Sequence, residues 1–348
     1  MNKPSLPEVP YASFKEFIAP GTDRFALLCA LLDTLALRNS VITLSGNRHI
    51  MVFPSHKEAA PSPARYAGAS PTVLVAHYDR AANSPGANDN SAAVFLLMET
   101  ALILRQKKAA DWLIIFTDKE ELRRDEGITH QGSYALAAGL RQAGLGEGRF
   151  FIFDACGTGD TLIISTTADH LMQQTQGPGT IKTKQAVQKL RTRALETARE
   201  LAMDKVLLLP TPFSDDAGFL RAGIPAQTIT VLPGTEAGPF VSLLRNKPGL
   251  AQALISREVQ KDYEPHIIPE TWRRLNGPGD SRLKLTPEHF PRVVRFACTL
   301  AQGSGPLHPY PYMEPSSGPR PVTESPKHLM SRVPDRAPPN HPVKRGGG

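Results

Sequence analysis

The sequence has few cysteines and tryptophans and no long uninterrupted apolar run. It contains 3 cysteines and 2 tryptophans in 348 residues. Cys29, Cys156 and Cys298 are too few and too widely spaced for a disulfide framework or a thiolate zinc site, so we interpret them as free thiols in a reducing cytosol. No segment approaches the roughly 18 to 20 apolar residues that cross a bilayer. The opening MNKPSLPEVPYASFKEF lacks the apolar core of a secretion signal. These absences predict a cytoplasmic protein with no membrane partner.

The distribution of charge excludes another class of partner. The formal net charge is +7, from 40 basic and 33 acidic residues. The basic excess is spread along the chain, and no compact basic run alternates with aromatic residues. We therefore expect no nucleic-acid partner.

Short apolar runs alternate with helix-like segments and predict an α/β fold. The runs expected to form buried strands are TVLVAH, WLIIFT, RFFIFDA, TLIIS, VLLL and AQTITV. This alternation predicts helices on both faces of a central mixed, mostly parallel sheet, which is a three-layer α/β/α architecture. We expect residues 1–23 to form an N-terminal extension and residues 24–302 to form the domain. The Pro-rich segment 303–348 is expected to be a disordered tail, since it cannot bury enough apolar surface to offset its ordering entropy.

Ionisable residues collect where these strands end. They are His77 and Asp79 after the first buried run, Asp118, Glu120 and Glu121 after the second, Asp154 and Asp160 after the third, and Asp215 and Asp216 after VLLL. Because the carboxyl ends of parallel strands share one rim, we expect these side chains to converge. Clustered carboxylates raise one another's pKa unless a cation joins them, and histidine with carboxylates is a common zinc ligand set.

Each signal has a structural explanation when it is taken alone. Asp89 precedes an apolar helix and is suitable as a helix cap. His77 could be oriented by Asp79 without any metal, and Glu120 and Glu121 could be a solvated loop pair. The order and spacing of these residues together favour a metal site.

The same order of motifs resembles the M28 family of zinc peptidases, which includes leucyl aminopeptidases and, more distantly, glutaminyl cyclases. The matching segments are AHYDRAANSPGANDNSAAVFLLME, FTDKEEL with the later HQGSYALA, FIFDACGTGD, and FSDDAGFLRAGIPA. The similarity covers about residues 25 to 302. It implies a zinc exopeptidase domain of the phosphorylase/hydrolase-like type.

The resemblance also implies roles for individual residues. Asp89 would bridge two zinc ions, with His77 and Asp154 completing one site and Glu121 contributing to the other. Glu120 would act as general base on the attacking water. Asp79 would orient His77 and fix its tautomer.

Two segments depart from the family pattern. The Ser-Asp-His triplet reads Ser214-Asp215-Asp216 here, and the last ligand histidine is replaced by Asn276, followed by Asp280 where the family has an aspartate. An amide is a poorer zinc ligand than imidazole, so the site shared by Asp89 and Glu121 is expected to be weakened. One ion at the His77 site, or two ions with a substitute ligand such as Asp216, His266 or His289, both fit the sequence.

The function implied is a zinc-dependent aminopeptidase that acts on a peptide or another small amine-bearing substrate. Two alternatives remain open at this point. The chain could be a catalytically impaired relative that binds a peptide, or a glutaminyl cyclase-like aminoacyltransferase. Segment 166–213, which includes a basic helix, is a candidate for partly covering the cleft.

Overall fold

The apolar runs form one sheet in the computed structural model. Among the described residues its eight strands are β1 Asn39–Leu44, β2 Asn47–Val52, β3 Thr72–His77, β4 Trp112–Thr117, β5 Arg149–Phe153, β6 Thr161–Ser165, β7 Val206–Leu209 and β8 Ala226–Leu232. Every residue of β3, β4 and β8 is buried, as expected for strands covered on both faces.

The strand order is β1-β2-β4-β3-β5-β8-β6-β7. Four pairings are parallel and three are antiparallel in the described part of the chain. The antiparallel pairings are those of the hairpin β1–β2, of β2 with β4, and of β6 with β8. The prediction of a mixed, mostly parallel sheet is confirmed.

Helices flank the sheet and connect its strands. Their bounds are α1 Tyr11–Phe17, α2 Arg24–Thr34, α3 Ala92–Gln106, α4 Gly132–Gln142, α5 Thr167–Gln173, α6 Pro178–Glu200, α7 Asp215–Arg221, α8 Gly234–Asn246, α9 Leu250–Ile255, α10 Glu270–Arg274 and α11 Phe290–Gln302. No helix among the described residues is long and apolar enough to cross a membrane.

Successive residues of each strand point to opposite faces, and this alternation divides the core into layers. On β3, Leu74 and Ala76 join a cluster with α2, α3, α6 and α11, whereas Val73 and Val75 join a cluster with α4 and α7. A third cluster places α8, α9 and Trp272 of α10 against the β6–β8 end of the sheet. The three-layer α/β/α prediction is therefore confirmed.

Helix α8 was not predicted from the sequence. It begins at Gly234 and contains Pro239 in its interior. Glycine and proline both disfavour helix interiors, so this segment resembles a loop in sequence. Burial of Ala237 and Phe240 against the third cluster stabilises the helix in spite of its composition.

The structure describes residues 11–54, 70–123, 125–173, 178–247, 249–255 and 267–303. All of them lie in one unit, Met1–Pro306. The second unit, Leu307–Gly348, lies outside the described residues, and so does nearly all of the predicted tail.

Within the predicted N-terminal extension, α1 buries Phe14 and Phe17, whose rings lie 5.0 and 5.5 Å from the ring of Phe95. The domain boundaries stay a prediction.

Candidate metal centre and active site

His77, Asp89 and Asp154 meet at the carboxyl ends of the central strands. His77 is the last residue of β3 and is fully buried, and Asp154 directly follows β5. Asp89 comes from the loop that precedes α3. His77 Nε2 lies 3.1 Å from Asp89 Oδ1 and 3.8 Å from Asp154 Oδ1. One ligand atom from each of the three residues lies within 4.8 Å of the other two, which is suitable for holding one metal ion.

Two buried atoms of this group support the fit to a cation. His77 Nε2 and Asp154 Oδ1 have no hydrogen bond of good geometry to any described residue. Unpaired buried polar atoms are costly, and a divalent cation would engage both of them at once. Burial alone would lower the pKa of His77, but the neighbouring Asp154, Asp79 and Asp89 raise it well above its usual value. The group is therefore electrostatically arranged for a positive charge.

Asp79 links the histidine to the loop that follows β4. Its Oδ1 lies 3.3 Å from His77 Nδ1, and its two oxygens accept hydrogen bonds of 3.1 Å from the backbone N–H groups of Glu120 and Glu121. Burial opposes ionisation of Asp79, but the contacts with His77 and these two N–H groups lower its pKa below the usual value. Asp79 thus holds the Glu120–Glu121 loop in place and lies beside the His77 imidazole.

Glu120 lines the same cleft as Asp89 and Asp154. Its Oε1 accepts a 2.9 Å hydrogen bond from Gln131 Nε2. Burial and then the nearby carboxylates, Glu121 foremost, raise the pKa of Glu120 well above its usual value, although His77 opposes the shift. A carboxylate held in this way is suited to accept a proton from a neighbouring water.

Gln131 is a site residue that the sequence reasoning missed. It is buried, and its Oε1 accepts hydrogen bonds of 3.0 Å from Ser133 Oγ and from the backbone N–H of Gly218. A Cβ at Gly218 would lie 2.2 Å from Ser133 Oγ and 2.8 Å from Gln131 Oε1, so this approach requires glycine. The signal available in the sequence was an amide directly before the Gly-Ser pair of the helix start.

Glu121 faces Asn276 rather than the His77 group. An amide's nitrogen and oxygen are assigned from their partners, and here the facing carboxylates place the nitrogen inward. Asn276 Nδ2 then donates to Glu121 Oε2 at 2.8 Å and to Asp89 Oδ2 at 3.2 Å, and also contacts Glu121 Oε1. Burial and the charge of Asp89 raise the pKa of Glu121 to about 9. Asn276 therefore lies where the sequence comparison placed it, beside Asp89 and Glu121.

Asp280 fixes the loop that carries Asp89. Its two carboxylate oxygens accept hydrogen bonds from the backbone N–H groups of Asn88 at 2.8 Å and Asp89 at 3.0 Å. From the other side, buried Arg24 donates to the carbonyls of Asp79 and Pro85 at 3.1 and 2.7 Å. Two buried charged residues from distant parts of the sequence thus shape this loop.

Comparison with known proteins identifies the family of the chain. The model of peptidase family M28 matches residues 62–267. The chain belongs to peptidase family M28. No curated protein matches its sequence.

Solved structures of related fold include both aminopeptidases and cyclases. A leucine aminopeptidase precursor from Bacteroides thetaiotaomicron is 16% identical over 86% of this chain and 99% of its own, with a TM-score of 0.53. The Legionella pneumophila LapA aminopeptidase is 14% identical over 84% of this chain and 68% of its own, with a TM-score of 0.54. A Bacteroides thetaiotaomicron glutaminyl cyclase bound to N-acetylhistamine is 16% identical over 86% of this chain and 100% of its own, with a TM-score of 0.54. At these identities the likeness shows the fold alone.

The M28 chain spans about half the length of another similar structure. It covers 48% of a zinc aminopeptidase from Bacillus subtilis, at 19% identity over 73% of this chain and a TM-score of 0.45.

Two strand-end acids of this M28 chain, Asp118 and Asp160, are held by partners outside the metal group. Asp118 Oδ2 accepts from the backbone N–H of Arg48 at 3.0 Å, and Asp160 forms an ion pair with Lys205. Asp215 lies nearer to the group: its Oδ2 accepts from Thr117 Oγ1 at 2.5 Å, and the charge of His77 opposes the rise in its pKa that burial causes. The convergence expected for the strand-end acids therefore holds for only part of the set.

Of the candidate substitute ligands, two can be placed. Asp216 accepts a 3.3 Å hydrogen bond from the backbone N–H of Ser214, and His289 lies in a surface depression with Asp204 and Arg292. Neither belongs to the group that could hold a metal ion among the described residues. His266 lies outside the described residues.

A cleft of about 600 Å³ opens beside the metal group. Its lining contains Asp89, Glu120 and Asp154, and the apolar residues that line it are Ala155, Pro212, Phe213, Leu254, Ile268, Trp272 and Leu275. Of segment 166–213, which was a candidate for covering the cleft, only Thr211–Phe213 contribute to its described lining. The basic helix α6 packs on the sheet instead, burying Val187, Leu190 and Ala194.

Proposed function

We propose that this M28 protein is a metal-dependent hydrolase that removes N-terminal residues with apolar side chains from peptides. The observation that carries the proposal is the placement of Glu120. Its carboxylate shares a cleft with the His77–Asp89–Asp154 group and is fixed there by Gln131. A pure binding site has no need of a positioned base next to a metal group.

The residues present fit a zinc ion, with His77, Asp89 and Asp154 as its protein ligands. Zinc bound there would polarise the scissile carbonyl and acidify a water molecule beside it. Glu120 accepts a proton from that water as its oxygen bonds to the carbonyl carbon. Glu120 then passes the proton to the leaving nitrogen as the C–N bond breaks, so the carboxylate is regenerated. Asp79 keeps the ring of His77 oriented throughout.

The cleft supports a preference among N-terminal residues. The acidic residues of its lining, Asp89 and Asp154, favour a protonated amine, and Phe213, Leu254 and Trp272 in the same lining offer contacts to an apolar side chain. Burying such a side chain contributes on the order of 1.5 to 3 kcal/mol, which an acidic side chain would not gain. We therefore expect leucyl and phenylalanyl substrates to be preferred over glutamyl ones.

The test is hydrolysis of aminoacyl coumarin amides by zinc-loaded protein, compared with the isosteric Glu120→Gln variant. The wild type should cleave the leucyl amide, and the variant should lose about 100-fold to 10,000-fold in kcat while keeping its metal content. Full turnover by Glu120→Gln would show that another group is the base.

A second candidate is peptide binding without hydrolysis, and the presence of Asn276 beside Glu121 favours it. Tight binding of a leucyl peptide by zinc-loaded protein that cleaves no amide would establish this alternative. The cyclase-like transferase stays a prediction, and peptides that begin with glutamine belong in the same panel of substrates.

A further inference from the structure

The Asn276 amide lies against the two carboxylates expected to hold a second metal ion. With its nitrogen turned toward them, which is the orientation that pairs donor with acceptor, Asn276 Nδ2 lies 2.8 Å from Glu121 Oε2 and 3.2 Å from Asp89 Oδ2. An asparagine amide carries two N–H donors, so one side chain can serve both carboxylates at once. These are the distances of ordinary hydrogen bonds to carboxyl oxygens.

On the other side of Asp89, the buried polar atoms lack hydrogen bonds. His77 Nε2 and Asp154 Oδ1 are buried without a hydrogen-bond partner among the described residues. Among these residues, the group of ligand atoms close enough to share an ion consists of His77, Asp89 and Asp154, and Glu121 is not part of it.

We infer that this chain holds a single metal ion, at His77–Asp89–Asp154, and that the Asn276 amide takes the place of a second ion between Asp89 and Glu121. The two orientations of the amide exclude each other: with its nitrogen inward it donates to both carboxylates, and with its oxygen inward it could coordinate a metal but would make neither donation. An ion entering there would meet two carboxylates and no imidazole, which is a weak ligand set for a divalent transition metal.

The loop around Asn276 keeps the amide in this position. Asn276 has a left-handed backbone with φ of 62°, which asparagine, aspartate and histidine adopt more readily than other side chains. The same loop is tied to Asn88 and Asp89 through Asp280. Histidine or aspartate can therefore replace Asn276 with little change of backbone, and either would supply a ligand in place of the donor.

The inference concerns the metal site used in the proposed function, but it is tested without substrate. The test is zinc content per chain, measured by elemental analysis after equilibrium dialysis against a zinc buffer, together with calorimetric titration of the metal-free chain. We expect about one ion for the wild type and a twofold higher content for Asn276→His. His289→Asn, which removes a histidine far from the group, is the matched control and should leave the content at one.

Asn276→Asp provides a second variant if Asn276→His fails to fold, and it too should raise the zinc content twofold. Two tightly bound ions in the wild type, or none, would overturn the inference. So would a content of one ion in a folded Asn276→His variant. A wild type with one ion and no peptidase activity would sink the proposed function and leave this inference standing.

Discussion

The two sides of Asp89 are built differently. On one side, His77 and Asp154 belong to strand ends in the middle of the sheet, and the imidazole nitrogen that faces the carboxylates lacks a hydrogen bond. On the other side, Glu121 and Asn276 come from loops and satisfy each other. We call these the strand half and the loop half of the site.

The comparison shows how one acidic cluster can be stabilised in two ways. In the strand half, the unpaired atoms are placed by rigid backbone and are suited to engage a cation. In the loop half, a neutral amide supplies two donors and compensates part of the negative charge. Substitution of Asn276 alone should change how the loop half is stabilised. The arrangement of the strand half depends on the sheet itself.

Asp89→Asn should have the largest effect, because Asp89 is the residue that both halves share. Losing its charge should weaken zinc binding by more than about 100-fold, measured by calorimetric titration. Asp118→Asn, which changes a strand-end acid outside the group, is the control and should bind zinc normally. Equal affinity of the Asp89→Asn variant and the wild type would mean that Asp89 is not a ligand.

Asp280→Asn should sharpen the comparison from outside the ligand set. The amide can accept only one of the two backbone N–H bonds that the carboxylate accepts, so one buried donor is left unpaired at a cost of about 1–3 kcal/mol. We expect zinc affinity to fall roughly 10-fold to 100-fold because the Asp89 loop loosens. Exposed Asp125→Asn is the matched control. An unchanged affinity for Asp280→Asn would contradict the role of this residue in shaping the loop.

Gln131→Leu tests whether the base is positioned independently of either half. Without the amide donor, Glu120 should lose its fixed orientation, and kcat should fall roughly tenfold while KM and zinc content stay unchanged. The control is Gln142→Leu, which changes an exposed glutamine at the end of α4, the helix that follows Gln131. This variant should have wild-type kinetics. A rise in KM with constant kcat would assign Gln131 to substrate binding instead.

The smallest effect is expected for Asp216→Asn, which removes a buried acid that belongs to neither half of the site. Burial raises the pKa of Asp216 from 3.8 to about 7. Because the folded-state pKa is raised, the protonated form stabilises the fold below about pH 4, and this contribution is lost as pH rises through about 7. The variant should therefore gain on the order of 1 kcal/mol relative to wild type between pH 5 and pH 8.5, measured by urea unfolding, with zinc binding unchanged. Weaker zinc binding would make Asp216 a substitute ligand.

The sheet could be predicted from sequence because its strands are short, mostly apolar runs such as TVLVAH and WLIIFT. Such runs have few alternatives to a buried parallel strand. Helix α8 could not be predicted, because Gly234, Gly238 and Pro239 oppose a helix locally and only tertiary burial favours it.

The positions of the main site residues could also be anticipated, since strand ends converge by geometry. The contacts that complete the site could not. Gln131 to Glu120 and Asp280 to Asn88 are hydrogen bonds between loops, and their partners depend on how the loops fold over the sheet. The functional roles of His77, Asp89 and their neighbours stay predictions until the variants are measured.

The hydrogen bond that the Asn88 N–H donates to Asp280 has a consequence for the timing of biosynthesis. Its two residues are 192 positions apart in the chain. At a synthesis rate of roughly 5 to 20 residues per second, the ribosome needs about 10 to 40 s to add that length of chain. A nascent chain that ends before Asp280 already contains His77, Asp89 and Asp154 but lacks the residue that fixes the Asp89 loop. Stable metal acquisition should therefore follow synthesis of the C-terminal part of the domain, and metal should be lost readily from chains truncated before that point.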